Sequence, residues 1–181
     1  MDNRVKPGIG KLLLVLIVFV LAAVYIFVAL GSSDPLWFWP GFNARPDKII
    51  IHCAGQETIL TPTSPGYAEL TEALRQTVPK IQGLYASLGI SEGTMQEYKS
   101  KALVVEVFYA RPISIHSPFN FGRPDSLLIP LRGLYSELNV LFGGHEGVYW
   151  AGALRLKSTE PVQKAIEELG CCLGGPLFLR V

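Results

Sequence analysis

The chain has 181 residues, with 16 Lys+Arg against 15 Asp+Glu and a formal net charge of +1. Setting aside the three cations and one acid before residue 12 leaves 13 against 14, so the body of the chain carries no cationic footprint for nucleic acid. Three cysteines are too few for a disulfide framework, and hydrophobic residues at 49% are enough for one ordinary core.

The N-terminal segment holds Arg4, Lys6 and Lys11, opposed only by Asp2. Leu12 to Leu30 then runs without charge, Pro or Gly. As a helix this run spans roughly 28 Å, close to the ~30 Å hydrocarbon thickness of a bilayer. The expectation is a cytoplasmic tail over 1–11 and a transmembrane helix over 12–31. The cations before the run put the N-terminus in the cytoplasm and the rest of the chain outside. A cleaved signal peptide is the rival, but its apolar region is usually about 7–15 residues, shorter than this one. Gly8-Ile9-Gly10-Lys11 lacks the full spacing of a phosphate-binding loop.

Residues 32–47 contain Pro35, Pro40 and Pro46 and are expected to form a stiff interfacial linker. Trp37, Phe38, Trp39 and Phe42 follow the apolar run closely, as rings do that sit at the level of lipid headgroups; the alternative is that they pack on the folded domain.

Residues 48–181 are expected to form one extracytoplasmic α+β domain, a mainly antiparallel sheet with helices on one face. Lys48–Cys53 and Thr58–Thr61 read as a hairpin about Ala54-Gly55-Gln56. Ser64 and Pro65 open an amphipathic helix with Tyr67, Leu70, Thr71, Leu74 and Val78 at three-and-four spacing. Pro79 ends or kinks it, with residues 80–88 as a helical continuation and 94–101 as a further short helix. Ala102–Tyr109 is the strongest strand, its unbroken apolar start suggesting a central position buried on both faces. Ile113–His116 reads as an edge strand between Pro112 and Pro118, and Leu127–Leu131 as another strand. Val140–Phe142 and Val148–Leu156 read as a hairpin about a Gly-rich loop, Gly143–Gly147. Ser158 or Thr159 caps a last helix with Val162, Ala165, Ile166 and Leu169 on one stripe, and residues 174–181 add a short strand.

The chemistry is sparse. Cys53 is the plausible disulfide partner of Cys171 or Cys172, the alternative being three buried small side chains. The histidines, His52, His116 and His145, have no ligand spacing, so no metal and no cofactor is expected. A nucleophile pair of Cys53 with His116 or His145 is conceivable but lacks a local signature. The loop 117–125 puts Phe119, Phe121 and Arg123 on an irregular stretch, residue types enriched at binding hot spots. His145, in the Gly-rich loop, joins them as a candidate binding residue; the alternative is that the rings fill the edge of the core.

The leading expectation is an accessory or regulatory subunit that is not an enzyme. Its partners would be the lipid bilayer and another membrane or envelope protein. An anchored envelope hydrolase or thiol redox protein, and a small-ligand sensor, are the alternatives.

Overall fold

The computed structural model describes residues 8–170. Residues 1–7 of the expected 1–11 tail, Cys171, Cys172 and the final strand expected at 174–181 lie outside them.

Helix α1 runs from Ile9 to Ser32, three residues earlier than expected, and ends where Ser33 turns left-handed and donates its amide to the Leu30 carbonyl. None of its most apolar 18-residue stretch is covered by the rest of the chain. A helix that is apolar all round and uncovered is built for a non-aqueous surrounding, which fits a membrane anchor or a signal sequence.

Seven strands form one sheet: β1 (Lys48–Cys53), β2 (Gln56–Leu60), β3 (Ile81–Tyr85), β4 (Leu103–Phe108), β5 (Ser126–Arg132), β6 (Val140–His145) and β7 (Val148–Leu156). Their order is β2-β1-β4-β5-β6-β7-β3, and every pairing is antiparallel. Helices α2 (Tyr67–Thr77), α3 (Glu92–Lys101) and α4 (Glu160–Glu168) pack on it. The domain is therefore α+β, as the sequence indicates.

Alternation along the strands divides the interior in two. Ile49, Ile51, Leu103, Val105, Val107, Leu127 and Ile129 face Leu70 and Leu74 of α2 and Val162 and Ile166 of α4. Val104, Leu128, Val140 and Phe142 form a smaller core with Tyr98 of α3 on the opposite face. The expected helical face is thus that of α2 and α4, while α3 covers the other. Burial on both faces explains why β4 reads as a continuous apolar run.

Four expectations are corrected. Residues 80–88 are not helical: Ile81–Tyr85 is edge strand β3, because β7 needs a partner for its outer backbone groups and Ile81 to Tyr85 supplies it. Ile113–His116 makes no strand; Pro112 and Pro118 withhold donors, and only the Ile113 amide bonds back, to the Pro124 carbonyl. Gly143 and Gly144 belong to β6, leaving Glu146-Gly147 as the hairpin tip. Helix α2 starts two residues late, after Gly66 with φ +79°. A Cβ there would lie 1.8 Å from the Leu169 side chain, and Ser64 instead accepts the Thr61 amide in the preceding turn.

Candidate functional site

The register sets the site. Lys48 pairs with Phe108, Phe108 with Ser126, and Ser126 with Gly144, so the start of β1, the end of β4 and the start of β5 share one end of the sheet. The linker enters at this end, and the loop from Tyr109 to Asp125 spans it. Two backbone bonds clamp the loop's base, Tyr109 N–H to Asp125 O and Asp125 N–H to Gly144 O.

The sequence-expected binding residues divide here. Phe121 is buried in the larger core, edge-on to Trp150 at 6.2 Å between ring centres, and Phe119 packs half-buried against that core. Arg123 and Asn120 stay exposed. They line two adjoining clefts, one of about 490 Å³ with Leu84 and Trp150, the other of about 100 Å³ with Ser32 and Asp34 at the end of α1. His145 is exposed and pairs through Nδ1 with Asp125; it lines neither cleft.

The loop is tied to α1. His116 Nδ1 lies 2.9 Å from Asp34 Oδ2, both groups mostly buried. Asp34 also accepts the Leu36 amide through Oδ1, and Tyr25 donates its hydroxyl to the Pro35 carbonyl. Phe38 and Trp39 stand more than half exposed beside this junction. Trp37 is partly buried, edge-on to Phe38 at 5.8 Å.

The histidines do not converge. Each pairs with a different carboxylate: His52 with Glu106, His116 with Asp34 and His145 with Asp125. No group of three or more His, Cys, Asp or Glu side chains among the described residues could hold a metal ion. Cys53, at the end of β1, is disulfide-bonded and so offers no free thiol.

Sequence reasoning missed a buried polar cluster under α3. Glu106 is 4% exposed; its Oε2 lies 2.8 Å from His52 Nε2, and its Oε1 accepts the Tyr149 hydroxyl at 2.9 Å. Glu57, from β2, approaches the other imidazole nitrogen at 3.8 Å. Burial by itself pushes the Glu106 carboxyl up. The two hydrogen bonds, with the charges of His52 and Lys99, outweigh it and hold the carboxyl below the ordinary glutamate value. Burial, then the neighbouring Glu106, push the Tyr149 phenol up. The available signal was a lone Glu inside the most apolar strand, since a buried charge needs partners. Neither cleft beside the loop is lined by His52, Glu106 or Tyr149.

No protein-family model, curated protein or solved structure matches the chain.

Proposed function

We propose that this chain is a single-pass membrane protein with its N-terminus in the cytoplasm. Its α+β domain lies outside and binds another membrane or envelope protein, as an accessory or regulatory subunit. One observation carries the reading. The domain is fastened to the end of an uncovered apolar helix by the Asp34–His116 pair, with exposed Arg123 lining a cleft beside Asp34 and exposed Phe38 edge-on to Tyr25 of the helix. A domain merely tethered by a loose linker could sample any orientation. A fastened one presents a constant surface beside the bilayer, as recognition of a neighbour in the same membrane requires. The disulfide at Cys53 supports an oxidising compartment.

The test is photo-crosslinking in native membranes from probes placed at Arg123 and Trp39. A discrete heteromeric adduct is expected from these positions and not from a probe at Glu168, on α4. Recovery of monomer alone, under conditions that trap known complexes, overturns the proposal.

A further inference from the structure

A third cleft, of about 560 Å³, opens between the linker and α2, within the roughly 300–1,000 Å³ typical of small-molecule sites. Pro46, Pro62 and the ring of Tyr67 supply apolar walls. The Tyr67 hydroxyl donates to the Pro46 carbonyl, which fixes one wall against the other. Four charged side chains line the same cleft, and three of them are committed. Asp47 Oδ2 accepts the Ala110 amide at 2.5 Å. Glu72 accepts the Gln76 side-chain amide and sits 3.7 Å from Arg75, whose other nitrogen donates to Asn43 at 3.0 Å. Arg45 alone has neither ion pair nor side-chain hydrogen bond among the described residues. The wall also holds Thr71, 8% exposed, whose hydroxyl is buried without a partner.

We propose that this cleft binds a small organic monocarboxylate, its apolar body between Pro46, Pro62 and Tyr67 and its carboxylate on Arg45. The uncommitted charge is positive and single, so it balances one negative charge. A planar guanidinium matches a carboxylate through two parallel hydrogen bonds. A phosphate dianion would bring a second negative charge beside Asp47 and Glu72, with no cation left to balance it. Thr71 lines the same cleft, and its hydroxyl has no partner within the protein, so a ligand oxygen there would supply one. The site does not depend on how the chain sits in a membrane or on any protein partner.

The test uses the full chain in lipid nanodiscs, with empty nanodiscs as the blank, and isothermal titration calorimetry. The probes are 4-phenylbutyrate, hexanoate and indole-3-acetate, each beside its primary amide, with inorganic phosphate as a further arm. At least one carboxylate binds saturably, with its amide and phosphate about tenfold weaker or more. Arg45→Gln weakens the carboxylate about tenfold and leaves the melting temperature of the unliganded protein unchanged, because Arg45 is exposed. Thr71→Val weakens binding several-fold yet melts no lower than the parent, since it removes a buried hydroxyl that has no partner. Absence of saturable binding by all three carboxylates overturns the proposal. So does binding unchanged in Arg45→Gln, or phosphate binding as tightly as the carboxylate.

Discussion

At the scale of single residues, the interior depends most on Glu106. Its carboxylate is the acceptor for both His52 and Tyr149, so truncating it leaves two buried donors unmet. Glu106→Ala is expected to lower unfolding free energy by about 3–5 kcal/mol, read by urea denaturation at neutral pH. Its titration sets a pH dependence with a definite sign. The folded-state pKa lies below the ordinary value of 4.5, so near that pH the unfolded chain binds more protons than the folded one. The stabilisation is present above pH 4.5 and is lost as the pH falls through the lower folded-state value. Denaturation midpoints measured downward from about pH 6 should fall in this acid window for the parent and fall less for Glu106→Gln. Equal slopes in the two proteins would refute the assignment. His52 was visible in the sequence as a histidine in an apolar strand, but its partner was not. Sequence spacing of 54 residues hides a pairing that the β1–β4 ladder and the two-residue alternation create.

At the scale of elements, the strands were legible wherever composition and burial agree. β1, β4, β5 and β7 carry branched and aromatic residues, and the structure forms them. β3 was not legible, because Ile81-Gln82-Gly83-Leu84-Tyr85 has little pattern of its own. It becomes a strand by pairing with Leu154 to Leu156 and their neighbours on β7. The paired glycines of β6 show the same limit: Gly-Gly reads as a turn, yet both residues sit in the ladder because other groups come too close for any side chain. A Cβ at Gly143 would lie 2.8 Å from the rings of both Phe121 and Trp150, and one at Gly144 would lie 2.4 Å from the Val148 carbonyl oxygen. Gly143→Ala is therefore expected to destabilise by about 1–3 kcal/mol and to change Trp emission, as the Phe121–Trp150 contact is forced apart. Gly144→Ala should cost more, because the obstructing atom is backbone and cannot rotate away. Thermal melts followed by fluorescence check both, and a smaller loss for Gly144→Ala than for Gly143→Ala would contradict this packing.

At the scale of the whole molecule, the fastening of α1 to the loop at the end of the sheet governs how the domain is presented. If α1 is an uncleaved anchor, nearly all of the full-length chain stays in the membrane pellet after alkaline extraction, and the chain starting at residue 33 is released. Full-length chain shortened by about 30 residues and recovered in the soluble fraction would instead identify a cleaved signal sequence. The apolar helix and the α+β class were legible in the chain alone. So was β4 as a strand buried on both faces, since composition and short-range periodicity are local properties. It is the packed fold that puts Phe121 in the core and leaves Arg123 outside, brings Asp34 to His116 across 82 residues, and lines one cleft with Arg45 and Thr71. Those outcomes depend on which backbone segments converge, and convergence is set by strand register and by packing against partners distant in the chain.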